Sequence, residues 1–425
     1  MVVGTPGEQE RGAGAGMASP IDRLLATKEI VVACGPGGVG KTTTAAALGA
    51  TVAARRRAKV LVLTIDPARR LADALGIEGI GNTARQVPAE AFRALGVTPE
   101  GELYAAMLDM KQSWDGLVRR HAPDATTAAQ ILSNPLYDNI ASKFASSHEY
   151  IAMERLYEIH SAGDYDLVVV DTPPTRNALD FLEAPGRLAD FFSSRLLRWL
   201  IVPSRSRLVT LASRPFYQVA DKILGTQFLQ DIAEFFMAFQ TMYDGFVARA
   251  EAVSQLLRDE RTTFMVVTTL ESVPAREAEF FLGALRERRL DVGLLVVNKV
   301  LPAGFGDDKA ADLARVLAKH AEEIAVELSS EMGLGDDPGP LSEVLAATAQ
   351  GFLDFGLLAG RQAEMAAELR RSQETTVTVP FLDDEITDLA GLVDLGRRLF
   401  DGESTPRSRA GRQAPPRRPR AKPGR

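Results

Sequence analysis

Seven short apolar runs limit what this chain can become. EIVVAC (29–34), AKVLVLTID (58–66), ELYAAMLD (102–109), YDLVVVDT (165–172), TTFMVVTT (262–269), VGLLVVNK (292–299) and TTVTVP (375–380) are of strand length, mostly β-branched, and bounded by Gly, Pro, Asp or Asn. They lack the apolar–polar alternation of a half-solvated sheet, so they read as strands covered on both faces. Helical patterns separate most of them, for example Lys41–Arg55, Ser147–Ser161, Pro274–Arg289 and Ala310–Met332. Strands spaced by helices, joined by right-handed crossovers, predict an α/β fold with a doubly wound, mostly parallel sheet.

Two stretches break this rhythm, 110–164 and 173–261, where no convincing strand is found. Residues 181–246 hold nine of the 19 phenylalanines together with Trp199, Met237 and Met242. This predicts a helical subdomain inserted into the α/β core, which serves either as an adaptable apolar groove or simply as its own packed interior. The expected organisation is a disordered Gly/Ala-rich tail over 1–20, one folded domain over 21–404 with helical insertions at about 110–164 and 173–261, and a disordered basic tail over 405–425.

Composition excludes several classes. One cysteine, Cys34, rules out a disulfide framework or a CxxC site within one chain, and four scattered histidines show no metal-ligand spacing. No apolar run approaches the roughly 20 residues of a membrane span. The N-terminus has neither a basic n-region nor an apolar h-region, so the expected location is cytoplasmic. The net charge is −7, yet residues 405–425 carry eight basic side chains and no acidic one, leaving 41 basic against 56 acidic elsewhere. An acidic body argues against nucleic acid as a specific partner; the tail is either a solubilising segment or a weak contact for an anionic surface.

The densest chemical signal is Gly35-Pro36-Gly37-Gly38-Val39-Gly40-Lys41-Thr42, which fits G-x-x-x-x-G-K-[ST] between an apolar strand and an Ala-rich helix. Glycines let backbone N–H groups close around a triphosphate, and the helix N-terminus adds partial positive charge. Lys41 reaches the β- and γ-phosphates and the Thr42 hydroxyl ligates Mg²⁺. Cys34 reads as a buried thiol. Asp171 ends YDLVVVDT, the position of a carboxylate that holds Mg²⁺ through water. Asp66 ends another strand and has two readings, as the group that orients or deprotonates the attacking water or as the N-cap of the helix that follows. Asn298 can pair with N6 and N7 of adenine; a guanine reader would add Asp two residues after Lys299, where this chain has Leu301.

Together, GPGGVGKTTTAAA, DPARRLADALG, EYIAMERLYEIH, DTPPTRNALDFL, VVNK and VPFLDDEITDLAGL resemble the arsenite-pump and tail-anchored-protein-targeting ATPases, a deviant-Walker class of P-loop NTPases. The likeness spans roughly 28–401 and is nearest to single-domain bacterial members of the anion-transporting type. It implies that Gly35, Gly37, Gly38, Val39, Gly40, Lys41, Thr42 and Thr43 cradle ATP, that Asp66 and Lys41 are catalytic, that Thr42, Asp66 and Asp171 form the metal side, and that Asn298, Pro380 and Phe381 take the base. It also implies a homodimer that couples Mg-ATP hydrolysis to handling an apolar client helix or a membrane protein. An ATPase subunit energising an anion efflux pump and a non-enzymatic nucleotide-gated scaffold are the alternatives. The sequence departs from the family at Pro36, where a lysine reaching the partner's nucleotide is usual, and in lacking the zinc-binding and metalloid-binding cysteines. The resemblance further implies two switch segments, Asp66–Arg70 and Asp171–Thr175, and Arg69, Arg70 and Arg176, in or beside them, are candidates for the missing cation.

Overall fold

The computed structural model describes residues 19–65, 70–77, 79–135, 137, 147–172, 235, 237–238, 241–333, 337–373, 375–382 and 384–401. Asp66, Arg69 and Arg176 lie outside them, as do residues 1–18 of the expected N-terminal tail, the expected C-terminal tail and most of 173–240; Ser19 and Pro20 instead cap and begin the first helix.

Eight strands form one sheet: β1 Ile30–Cys34, β2 Lys59–Thr64, β3 Arg85–Gln86, β4 Glu102–Met107, β5 Leu167–Asp171, β6 Thr262–Thr269, β7 Val292–Val300 and β8 Thr376–Pro380. Their order is β3-β4-β2-β5-β1-β6-β7-β8. Every pairing is parallel except β3 with β4. All seven expected strands are present. The sequence reading missed β3, a two-residue exposed strand with no apolar run to announce it.

Among the described residues the helices are α1 Pro20–Leu25, α2 Lys41–Arg55, α3 Arg70–Leu75, α4 Ala89–Arg93, α5 Met110–His121, α6 Ala125–Ser133, α7 Ser147–Ala162, α8 Tyr243–Arg258, α9 Ser272–Glu287, α10 Asp308–Lys319, α11 Ala321–Met332, α12 Gly339–Ser372 and α13 Leu389–Asp401. The segment expected as one helix over Ala310–Met332 is two, divided at His320, whose φ of −112° and ψ of 22° leave the helical region.

Alternate residues of each central strand feed different cores, which is what makes the sheet doubly wound. Val31, Ala33, Val60, Val62, Val169, Met265 and Val267 pack with α2 and α13 on one face. Ile30, Val32, Leu61, Leu63, Val168, Val170, Phe264 and Val266 pack with α5, α7, α8 and α9 on the other. On this second face Glu154 of α7, 2% exposed, is paired with Arg249 of α8 at 3.1 Å, and the guanidinium also sits over the Tyr157 ring, 4.6 Å from its centroid. Losing one member of so buried a pair strands a charge, so the contact fixes how α8 returns to the sheet.

Of the nine phenylalanines in 181–246, only Phe235 has a described side chain. It is 2% exposed and packs into the core on the α7–α8 face, as does Met242. At these two positions the packed-interior reading holds.

The alanines of α2 let it lie close to the sheet and to α13. A Cβ on Gly396 would stand 1.7 Å from Thr51 Oγ1, so α13 docks on α2 with no room for a methyl group. Cys34 ends β1 inside the core, 3% exposed, its Sγ 3.5 Å from the Met265 carbonyl; burial pushes its thiol well above the ordinary range, with only partial relief from Lys41.

Two outcomes follow. Gly396→Ala lowers stability by about 1–3 kcal/mol through overpacking, despite alanine's better helix propensity, and adding Thr51→Ala restores part of the loss; urea midpoints at unchanged slope measure both. Cys34 stays unreactive toward a chromogenic disulfide reagent at pH 8 in the folded chain and reacts at once in denaturant; rapid labelling of the folded chain would contradict its burial.

Candidate functional site

Because the strands are parallel, their carboxyl ends fall along one edge, and Asp171, Asn298 and the loop after β1 lie there. Ala33 is in register with Asp171, Thr64 with Asp171, and Thr269 with Asn298. The loop after β1 sits near the middle of the sheet, where successive crossovers run to opposite sides.

That loop has space for backbone and little else. Gly35, Gly38 and Gly40 have φ of 141°, 77° and 93°. A Cβ on Gly35 would lie 2.1 Å from the Val267 carbonyl oxygen, and one on Gly40 would lie 2.5 Å from Asn298 Nδ2. Gly40 precedes α2 and leaves its N-terminal N–H groups pointing into the loop; no side chain caps them. Lys41 is 6% exposed, and its ammonium donates to the Pro36 carbonyl at 2.7 Å.

A cleft of about 700 Å³ opens above the loop. Gly38, Gly40, Lys41, Thr42 and Thr43 line it together with Asn298, Lys299, Pro380 and Phe381; Arg70, at the start of α3, also faces it. Thus most loop residues and the three base-side residues expected from the sequence meet in one cavity. Gly35 and Val39 lie beneath its lining, both buried.

Asn298 is already at work: its Nδ2 donates to the Val39 carbonyl at 2.8 Å and its Oδ1 accepts from the Lys299 N–H at 2.9 Å. One amide hydrogen and one lone pair are left for a base. Phe381 is 55% exposed, and its N–H donates to the Val300 carbonyl at 2.8 Å, which fixes the ring's anchor beside β7.

Asp171 is fully buried under the cleft rather than in its lining, and Oδ2 accepts from the Thr64 hydroxyl at 2.9 Å. Its carbonyl accepts from the Ile65 N–H at 3.0 Å, so the chain leading into Asp66 is tied to β5. Thr172 lines the cleft and its hydroxyl donates to the Ala33 carbonyl at 2.9 Å, joining the exit of β5 to β1.

The chemistry of these donors fits a nucleotide polyphosphate with a hard divalent cation. The loop is a cradle that any Cβ at Gly35 or Gly40 would fill, and a hydroxyl at Thr42 with a carboxylate at Asp171 is an all-oxygen set of the kind Mg²⁺ takes. Among the described residues no cluster of three or more His, Cys, Asp or Glu could hold a metal by itself, so phosphate oxygens and water would complete the shell. Lys299 was missed as a site residue; the signal was its place directly after Asn298.

Comparison with known proteins agrees with this geometry. Residues 28–325 match the family model described as anion-transporting ATPase. Over 298 residues the chain is 28% identical to a protein of Entamoeba dispar named ATPase ASNA1 homolog, covering 69% of this chain and 82% of that one. Over 313 residues it is 27% identical to ATPase GET3 of Podospora anserina, covering 73% and 84%. Over 329 residues it is 30% identical to the uncharacterized protein SCO2128 of Streptomyces coelicolor, covering 75% of each. With a P-loop at the centre of a doubly wound sheet and a family match over most of its length, the chain belongs to the anion-transporting ATPase family and is an ATPase.

Proposed function

We propose that this ATPase binds Mg-ATP in the cleft between the loop after β1 and the end of β7, and that hydrolysis drives a homodimeric switch acting on an apolar client or membrane partner. The observation that carries the nucleotide half is the one cleft of about 700 Å³ lined both by the glycine loop and by Asn298, Pro380 and Phe381.

In this reading the loop N–H groups and the α2 N-terminus hold the phosphates. Lys41 exchanges the Pro36 carbonyl for phosphate oxygens and stabilises charge that builds during transfer. Thr42 and Asp171 hold Mg²⁺, the carboxylate acting through water, with Asp66 on the same metal side. Bound there, Mg²⁺ neutralises charge on the β- and γ-phosphate oxygens. Asp66 orients the attacking water and takes its proton. Asn298 offers its remaining amide hydrogen and lone pair to adenine, and Phe381 gives the base an apolar face.

The switch half rests on connectivity. Thr172 lines the cleft and opens the segment that leads into the long insertion, so a shift there on loss of the γ-phosphate pulls on whatever follows. The partner half rests on surface chemistry. Ten of the eleven large apolar side chains exposed among the described residues lie on α9 to α12. Leu313 and Val316 project from one face of α10, and Leu357 is 71% exposed on α12. Such a concentration marks an interaction surface rather than scattered exposure. It supports partner handling over an anion pump, for which no described site offers ligands. Among the described residues no helix is long and apolar enough to cross a membrane, so a membrane partner would be met at its surface. With no cation at Pro36, Arg69, Arg70 or Arg176 acts across the dimer.

Three measurements test this. Lys41→Ala lowers ATP turnover by at least about 100-fold, whereas Asp66→Asn binds ATP normally and hydrolyses it slowly; equal turnover in both variants and the wild type refutes the site. Turnover per subunit rises steeply with protein concentration, since a cation supplied in trans is worth about 10³–10⁵ in related NTPases; a flat profile from a chain that stays monomeric with ATP excludes the dimer. Leu313→Lys with Leu357→Lys leaves basal turnover and melting temperature unchanged but removes ATP-dependent crosslinking to an apolar helical peptide; crosslinking that persists removes this face from the client reading.

A further inference from the structure

Val60, Val62 and Thr64 are alternate residues of β2, and Leu167, Val169 and Asp171 are alternate residues of β5. The apolar members of both rows pack into the core on the α2 face. The two polar side chains that end the rows therefore face the same way, toward the side on which α2 lies. Thr64 is in register with Asp171. It is 1% exposed beside a carboxylate that is 0% exposed, at a place where the alternation of β2 would put another valine.

The acceptor of its hydroxyl sets this threonine apart. Among the described residues, Thr44, Thr51, Thr172, Thr262, Thr263 and Thr268 are also buried, and each donates its hydroxyl to a main-chain carbonyl. Thr64 donates to Asp171 Oδ2, at 2.9 Å. A hydrogen bond to an ionised acceptor is roughly twice as strong as one between neutral groups. The next residue of the chain grips the same aspartate, its N–H donating to the Asp171 carbonyl at 3.0 Å. Thr64 and Ile65 thus hold Asp171 by its side chain and by its main chain, which fixes both where the residue sits and how its carboxylate is turned.

We propose that Thr64 is a positioning residue for the divalent cation: by holding Oδ2 it sets the orientation in which the Asp171 carboxylate meets the water around Mg²⁺. The inference rests on the Mg-ATP reading above and adds to it a hydroxyl on β2 that acts through Asp171. A carboxylate already turned to its working orientation loses less freedom when the metal arrives, so metal affinity depends on the group that turns it.

Calorimetric titration of the full-length chain with a non-hydrolysable ATP analogue, over a series of Mg²⁺ concentrations and with the metal chelated, reads this without turnover. Thr64→Val keeps the shape of the side chain and removes the hydroxyl. It should raise the Mg²⁺ concentration that half-saturates the gain in analogue affinity by about 10- to 100-fold, while affinity in chelator stays that of the wild type. Thr64→Ser, which keeps the hydroxyl, should restore the wild-type requirement. In an Asp171→Asn background Thr64→Val should raise the requirement no further, since the hydroxyl acts through that carboxylate. Should Thr64→Val not fold, Thr64→Cys, which exchanges the hydroxyl for a weak donor, carries the same expectation. The proposal is overturned if the variant needs no more Mg²⁺ than the wild type, if it weakens the analogue equally with and without metal, or if it adds its own loss to that of Asp171→Asn. An Asp171→Asn chain with the wild-type Mg²⁺ requirement would instead bring down the metal reading of Asp171 and this inference with it, and that failure appears before any Thr64 variant is made.

Discussion

The turn after β1 is shaped by what its neighbours leave no room for. The Val267 carbonyl of β6 and the Asn298 amide of β7 occupy the places where Cβ atoms of Gly35 and Gly40 would be. The loop is therefore pressed into its form by the two strands beyond it, and those strands are there because of the sheet order β1-β6-β7. A cradle of backbone N–H groups is in this sense a property of the parallel sheet as much as of the glycines. The glycines permit the conformation; the Val267 carbonyl oxygen, 2.1 Å from where a Gly35 Cβ would stand, and the Asn298 amide, 2.5 Å from where a Gly40 Cβ would stand, exclude any side chain there.

The other side of β1 carries the charged chemistry. β5 and β2 bring Asp171 and Thr64 together, and the buried carboxylate takes the threonine hydroxyl as a partner. A carboxylate with no exposed surface depends on such donors to remain tolerable. The Ile65 N–H on the Asp171 carbonyl and the Thr172 hydroxyl on the Ala33 carbonyl then tie the exits of β2, β5 and β1 to one another. In the proposed reading, β7 and β8 would supply base recognition and β2 and β5 the metal and water chemistry, with the phosphate loop between them.

Much of this was legible in the sequence for a physical reason. Strands buried on both faces leave long apolar runs, and a loop that must be glycine-rich announces itself, so all seven runs became strands and the loop fell where its motif put it. What escaped detection had no such signature. β3 is Arg85 and Gln86, two exposed residues held only by pairing with β4. The break between α10 and α11 at His320 carries no proline or glycine. A β-bulge in β7 at Lys299 defeats any argument from period two, because one inserted residue reverses which side chains share a face. Phe235 and Met242 looked equally fit for a groove or a core by composition, and only their burial separates those readings.

Pro36 is the departure that most affects the chemistry, and the local geometry gives it a role. Proline has no N–H, so it removes one donor from the cradle, but its carbonyl receives the Lys41 ammonium at 2.7 Å. That bond holds the lysine near the cleft, largely shielded from water at 6% exposure. A hydrogen bond from an ammonium to a neutral carbonyl is weaker than one to an anionic oxygen. Exchange of the Pro36 carbonyl for a phosphate is therefore downhill, with little rearrangement of the side chain. In the proposed dimer, the residue that costs the loop a cation at its second position would leave the cation acting between subunits to Arg69, Arg70 or Arg176, while its carbonyl holds the loop's own lysine.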